Sequence, residues 1–525
     1  MALINSILDR SVPGVYVTED TFGAFPAGIA THSTVYMLGF SSKVDAPVGV
    51  PALVQSTDDF YNQFGTSAST NSVALFFAQR SGLGFYFVNV ATKATRTFTV
   101  ATATPDEYYT ITVDTPGYDV TYRAVTGDTP DSIVRNLVDL VNKNASHVMT
   151  ARRTGDATGE LRFASGLASV ASANIALGTI QAKPSYPVVW DVVDTINSAF
   201  EPEMKQGFII APEFFQNFTS MADRNVLANT MESLASDPSY YWVAIADCGQ
   251  DVATQTTSAG AVNLAIQERN GLQSPRGHLA FYFPYWVDAR DNLVPMSASV
   301  VGVALRRYRD QGFREPPAGT AFPVYGVKDI SYKVTDKIQS SLNPVGVNCG
   351  RHLSAGRGRV IYGARTVSNN PYYRFVSTRV IMNVLAGSLR GAFDSIIFSS
   401  VDGLGVLFGR IKQTAVQFCE RLRLAGALFG ATPDDAYLCI CDLTNNPAID
   451  LENGQVNLDV LAKPSPVMEV LNIRLSRVSL GTVLAEVASS GDRSPVNNPE
   501  VNPQSAKSSQ PATANPNGGG ATISR

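Results

Sequence analysis

Gly207-Phe-Ile-Ile-Ala211 and Tyr240-Tyr-Trp-Val-Ala-Ile-Ala246 are short, almost wholly apolar runs, with a helix-patterned stretch, Asp223 to Leu234, between them. Apolar runs of this length fit strands covered on both faces. Leu279-Ala-Phe-Tyr-Phe283 repeats the pattern, and Met296 to Arg309 supplies a further helix that ends in the basic cluster Arg306, Arg307 and Arg309. Strands separated by helices imply right-handed crossovers, so this part reads as a largely parallel, doubly wound α/β sheet.

Working outward, Ser33 to Phe40 and Phe85-Tyr-Phe-Val-Asn-Val90 read as buried strands of the same sheet. Ser56-Thr-Asp-Asp-Phe60 offers Ser56 or Thr57 as the N-cap of a short helix ending near Gly65, and Val73 to Arg80 reads as another helix. From Lys93 to Ser185 the composition shifts to Thr, Asp, Gly and Ala. Tyr108 to Val113 and Val120 to Ala124 form an expected hairpin around Thr115-Pro-Gly117. Asp128-Thr-Pro-Asp131 then caps a helix whose buried side is Ile133, Val134, Leu137, Val138 and Val141. The expected organisation is an N-terminal arm (1–22), an α/β middle domain (23–92 and 186–344) and a small β-rich inserted domain (93–185). A C-terminal α+β domain (345–488) comes next, with a tail (489–525) behind it.

Within that C-terminal domain, Arg359 to Tyr362 reads as a strand and Phe375 to Leu389 as a helix. A second helix, Ile411 to Leu424, carries the apolar stripe Ile411, Ala415, Phe418 and Leu422. Tyr437 to Cys441, Gln455 to Leu461 and Val470 to Val478 read as strands. The tail is Ser, Pro, Asn, Gly and Ala with almost no large apolar residue, so it cannot offset its ordering entropy and is expected to be disordered.

The 525 residues are 45% hydrophobic and 16% charged, with a formal net charge of −4. Such a length predicts two to four domains. A sparsely charged surface suits a protein that buries much area against neighbours. The charge balance gives no global attraction to nucleic acid or anionic membranes. Five scattered cysteines argue against a disulfide framework and for a reducing compartment. Met1 to Arg10 lacks the early positive charge of a signal peptide, and no apolar run reaches the ~18 residues of a membrane span. The chain is expected to be cytosolic where it is made.

A doubly wound sheet raises a nucleotide-binding reading, but the phosphate loops are missing. There is no Gly-x-Gly-x-x-Gly between a strand and a helix and no Gly-x-x-x-x-Gly-Lys-Ser/Thr. Ser354-Ala-Gly-Arg-Gly-Arg359 leads into a strand, so it lacks the helix N-terminus that holds a phosphate. No nucleophile elbow occurs, and the four histidines (His32, His147, His278, His352) stand far apart. Cys439 and Cys441 share one face of a strand without a second ligand pair, which suits core thiols better than a metal. Asp58-Asp59 and Asp434-Asp435 fall where capping explains them, and the arginine cluster at 306–309 suits a helix C-terminus. Neither a catalytic constellation nor a cofactor or metal site is expected.

The two chain ends remain. Val15 and Val17 alternate with Tyr16 and Thr18, and Leu471, Ile473 and Leu475 alternate with Asn472, Arg474 and Ser476. Terminal strands on flexible flanks either add to a sheet in another copy or pair at the edge of their own. Pattern alone leaves both open.

Several motifs bear on the choice. Pro13-Gly-Val-Tyr-Val-Thr-Glu19, the Thr34-to-Phe40 strand and Gln55-Ser-Thr-Asp-Asp-Phe-Tyr-Asn-Gln-Phe-Gly65 together resemble the opening of contractile-tail sheath proteins. Ser340 to Asn348 resembles that family's linker into its C-terminal domain, and Tyr362-Gly-Ala-Arg-Thr-Val-Ser368 with Tyr373 to Arg379 resembles its most recognisable motif. Gly426-Ala-Leu-Phe-Gly430, Cys441-Asp442 and Pro464 to Glu469 then occur in order. Tyr362 replaces the usual Trp, and Ile397 to Asp402 lacks the usual Phe-Glu-Pro-Asn core, which bears on the subfamily.

The resemblance implies a subunit of six-membered rings stacked into a helical sheath around an inner tail tube. Such a sheath is metastable when extended and contracts without nucleotide to drive the tube through a target envelope. It implies a baseplate and a tail terminator as further partners, with no direct nucleic acid and no membrane insertion. Val15, Tyr16, Val17 and Thr18 would link to neighbours, as would Leu471, Ile473, Arg474 and Leu475, all through a sheet in the C-terminal domain. Lys412, Arg421 and Arg423, off the apolar stripe of their helix, are candidates for tube contact. The expected location is a virion tail, or an injection-system particle, assembled in the host cytoplasm. The competing readings are a non-contractile tube or shell subunit and a nucleotide-binding α/β enzyme.

Overall fold

The computed structural model describes residues 32–113, 118–143, 149–163, 170–201, 204–353, 358–473 and 475. Packing divides the chain into two units, Met1–Val467 and Met468–Arg525.

The first unit opens with β1 (Thr34–Gly39), β2 (Pro51–Val54), α1 (Thr57–Phe64), α2 (Thr70–Ala78) and β3 (Phe85–Asn89). Of the two cap candidates, Ser56 and Thr57, Ser56 caps α1 by accepting from the Asp59 N–H at 3.0 Å. The chain then makes an excursion: β4 (Ala94–Thr99), β5 (Tyr108–Val113), β6 (Tyr118–Arg123), α3 (Pro130–Asn142), β7 (Met149–Gly155), β8 (Thr158–Phe163), β9 (Val170–Ala173) and β10 (Ala176–Gln181). These strands form one sheet in the order β10-β4-β8-β7 and another in the order β6-β5-β9. Thr129 caps α3 through a reciprocal box with Ser132, and Ile133, Val134, Leu137 and Val141 enter a core separate from the rest. The Thr115-Pro-Gly117 turn and His147 lie outside the described residues.

The chain returns through α4 (Val189–Ser198), β11 (Gly207–Ile210), α5 (Pro212–Asn217), α6 (Met221–Ser236) and β12 (Val243–Asp247). It continues with α7 (Gln250–Ala253), α8 (Ser258–Asn270), β13 (Leu279–Phe283), β14 (Trp286–Asp288), β15 (Leu293–Val294) and α9 (Ser297–Gln311). Then come β16 (Val327–Ile330), α10 (Asp336–Leu342), β17 (Val347–Leu353) and β18 (Gly358–Ile361).

Eight strands make the central sheet in the order β18-β17-β13-β12-β11-β1-β3-β2. Its six inner strands are parallel, with β2 and β18 antiparallel at the edges. Alternate residues enter opposite cores. Tyr36, Leu38, Ala244 and Phe281 pack with α4, α5, α6 and α8. Val35, Met37, Ile245 and Tyr282 pack with α1, α2, α9 and α11 (Val376–Phe393). Helices therefore cover both faces, which is why these strands read as continuous apolar runs.

Just past the boundary expected at 345, the chain is still within the central sheet. β17 pairs in parallel with β13, Phe281 opposite Val347, so it belongs to the central sheet together with β18. Its sequence, Val-Asn-Cys-Gly-Arg-His-Leu, hides this because Asn348 is buried by using its Nδ2 on the Phe281 and Arg365 carbonyls. Beyond β18 the chain builds a smaller module that shares α11 with the sheet. It contains α12 (Val406–Leu424), α13 (Pro433–Ala436), β19 (Tyr437–Ile440), α14 (Ala448–Glu452) and β20 (Asp459–Ala462).

Candidate assembly surface

In α/β proteins ligands bind outside the carboxyl ends of the strands, where connection order reverses. In the central sheet that point lies between β1 and β11. Glu213, in the first turn of α5, fills it. Its carboxylate accepts from Phe40 N–H at 3.0 Å, from the Tyr186 hydroxyl at 3.0 Å and from the Ser69 hydroxyl. It is 1% exposed, and burial raises its pKa. A Cβ on Gly39 would lie 2.3 Å from Ser69 Oγ, so the crevice is closed by the chain's own atoms. A buried carboxyl group here also repels a phosphate.

Most of the other polar features singled out in the sequence have structural partners. Arg306 donates to the Gln79 and Pro323 carbonyls and lies 4.4 Å from the Tyr325 ring centroid. Arg307 pairs with Glu315, and Arg309 with Asp310. Cys439 Sγ lies 3.7 Å from Cys419 Sγ, both thiols buried, while Cys441 packs on Phe408 and Ile411. Asp59 accepts from Gln55 N–H, and Asp435 pairs with Lys463. Of the histidines, His278 bonds the Trp242 carbonyl and His352 meets Asp329 at 3.0 Å. Among the described residues no group of three or more His, Cys, Asp or Glu is placed to hold a metal, and no helix is long and apolar enough to cross a membrane.

The small C-terminal module presents something different. β19 and β20 form a two-stranded antiparallel ribbon, Leu438 opposite Leu461 and Cys439 opposite Val460. One face packs Cys439 and Val460 against Ala415, Cys419 and Leu422 of α12. The other face leaves Leu438 53% and Leu461 40% exposed. Among the described residues no third strand joins this ribbon. Two strands alone are marginally stable, and unpaired edges carry open backbone donors and acceptors. The outward leucines were missed in the sequence, although the alternation Tyr437-Leu438-Cys439 carried the signal.

The residues expected to act in assembly are distributed unevenly. Val15, Tyr16, Val17, Thr18 and Arg474 lie outside the described residues, as does the 489–525 tail. The strand expected over 470–478 is not formed at 470–473 or at 475. Its alternation is a capacity for pairing, and a strand exists only with a ladder partner. Leu471, Ile473 and Leu475 are 68%, 71% and 93% exposed. On α12, Lys412 and Arg421 are exposed, the latter 5.4 Å from the Phe418 ring centroid. Nine helical residues at about 100° each set these two about 180° apart, so they do not share a face. Arg423 is committed to Glu420, with bonds of 2.8 and 2.6 Å, and to the Ala431 carbonyl.

No protein-family model and no curated protein matches the sequence. Solved structures do match. The sheath complex of an extracellular contractile injection system, PVC, in its contracted state superposes with a TM-score of 0.55 at 15% identity, covering 89% of this chain and 98% of that one. A chain of the anti-feeding prophage (AFP) baseplate gives 0.53 at 16% identity over 90% and 100%. The contracted AFP helical sheath gives 0.52 at 16% identity over 89% and 100%. The chain has the contractile-sheath fold. The match spans nearly the whole length of those chains and about nine-tenths of this one.

Proposed function

We propose that this chain is the subunit of a contractile sheath, which polymerises helically around an inner tube and changes from an extended to a contracted state. The observation that carries the reading is the β19–β20 ribbon, with its open edges and outward Leu438 and Leu461, in a chain whose Leu471, Ile473 and Leu475 alternate exposed and unpaired into strands. In this reading the 471–475 segment of one copy and the 15–18 segment of another lengthen the ribbon of a third. Each added strand supplies a ladder of backbone hydrogen bonds and covers an apolar row. The rings hold six subunits, the inner tube, baseplate and terminator are the partners, and the work is conformational rather than enzymatic. A single tube-facing side of α12 uses either Lys412 or Arg421, since Arg423 is engaged by Glu420.

Negative-stain microscopy of the expressed chain tests the proposal. Hollow, striated cylinders are expected from the parent. Deletion of residues 1–20, or Ile473→Pro, is expected to leave a soluble folded monomer that forms none. Normal-length sheaths from either variant would sink the strand-exchange assignment. Smooth tubes or closed shells from the parent would favour a non-contractile subunit.

A further inference from the structure

A cleft of about 880 Å³ opens where the end of α8 meets the segments around Val345 and Val367. Arg269 stands in its wall, 7% exposed. Its guanidinium donates to the Val345 carbonyl at 2.6 Å, the Val367 carbonyl at 2.5 Å, the Leu272 carbonyl at 3.5 Å and Asn369 Oδ1 at 3.4 Å. All four acceptors are neutral. Burial lowers its pKa, so the surroundings penalise the charge that these dipoles only partly offset. Arg276, half-buried on the same cleft, also forms no ion pair among the described residues.

The amide side chains of the wall complete the pattern. Asn369 spends its oxygen on Arg269, and Asn370 spends its oxygen on Tyr372 N–H at 3.0 Å. No described residue engages the NH₂ group of either. Gln273 and Asn270 add two further amides at the exposed edge. The cleft therefore gathers two guanidiniums and four amide side chains, of which Asn369 and Asn370 already have an oxygen engaged. Glu232 is the acid nearest in influence, but it is buried, accepts from Ser274 Oγ at 2.9 Å and is not part of the wall.

From this juxtaposition of two guanidiniums and the unengaged NH₂ groups of Asn369 and Asn370 we infer that the cleft is a binding site for a carboxylate group. An ionised carboxylate is acceptor-only and bonds strongly to charged donors. It arrives either as a free small polycarboxylate or as an acidic side chain of a second copy of this chain. Only the second source rests on the sheath reading.

Citrate, titrated into the full chain against sodium chloride of equal ionic strength, tests the site without requiring assembly. The melting temperature is expected to rise by about 2 °C or more in saturating citrate over chloride. Arg276→Ala is expected to lose that rise. Asn369→Asp, at an exposed position, supplies the carboxylate from within. It is expected to melt higher than the parent in chloride and to gain nothing from citrate. If citrate also slows assembly and Arg276→Ala impairs it, the natural carboxylate is a neighbour's side chain; if assembly is untouched, it is a free one. No citrate-specific rise, or an equal rise in parent and both variants, overturns the site.

Discussion

Asp247 ends β12 with one carboxylate oxygen accepting from Ser297 N–H at 2.8 Å and the other without a partner. Burial raises its pKa from 3.8 to about 7. Between those values the unfolded chain gives up a proton that the folded chain keeps, so this residue lowers stability as pH rises through that window. Asp247→Asn keeps the acceptor for Ser297 and removes the charge. It is expected to melt several degrees above the parent at pH 8, the gap fading as pH falls towards 4, in melts recorded across that range. His32 acts in the opposite direction. Its ring packs edge-on to Phe208 at 4.7 Å with neither nitrogen partnered. Burial first, with Arg379 adding to it, lowers its pKa from 6.5 to about 3. The unfolded chain then takes up a proton that the folded chain refuses, and stability falls as pH drops from 6.5 towards 3. His32→Phe is expected to flatten that acid limb and leave the melt at pH 8 nearly unchanged.

Among elements, α4 and β8 are held together by charge rather than by apolar contact. Asp191 is fully buried and accepts from Arg162 Nη2 at 2.5 Å, from Lys93 N–H at 3.0 Å and from Val188 N–H at 3.0 Å. Arg162 reaches Asp194 and Glu160 as well, and Arg152 lies 4.5 Å from the Trp190 ring centroid. Asp191→Ala strips a buried guanidinium of one counter-charge and is expected to cost about 3–5 kcal/mol. Hydrogen exchange should quicken in β4, β8 and α4 while β12 and β13 stay protected; uniform loosening would refute this clamp. None of it was visible in the sequence, because Lys93, Arg162 and Asp191 meet only through tertiary structure. What was legible lies close in the chain. The caps at Ser56 and Thr129 were readable, as were the apolar runs of β1, β3, β11 and β13 and the buried side of α3. β17 was not, since Asn348 and Gly350 declare their burial only once Phe281 stands beside the strand. At 470–473 and 475 no strand is formed, for the complementary reason: alternation records what a segment can pair with, not whether a partner is present.

Across the whole molecule, a large sheet needs nothing further to cover it, whereas a small ribbon does. Leu438→Lys places a charge on the ribbon's outward row without touching Cys439 or Val460 beneath it. It is expected to leave the monomer's melt within about 0.5 kcal/mol of the parent, as surface changes do. Assembly, read by sedimentation, should be lost. Assembly at the parental level would show that the outward row is not covered. The candidate carboxylate cleft was hidden from sequence reading, since it is made from segments far apart in the chain, whereas the ribbon strands were legible and only their outward row went unread. The path of the chain through its excursion has another consequence. β4 and β10 run antiparallel as neighbours, Thr95 opposite Gln181, so the point of departure and the point of return stand side by side. Nothing in the central sheet is threaded through the 80-odd residues between, which have their own core. The excursion is thus an exchangeable cassette: an unrelated fold with adjacent termini can be spliced there, provided Asp191 is neutralised with it, and carried once per chain without rewriting the sheet beneath it.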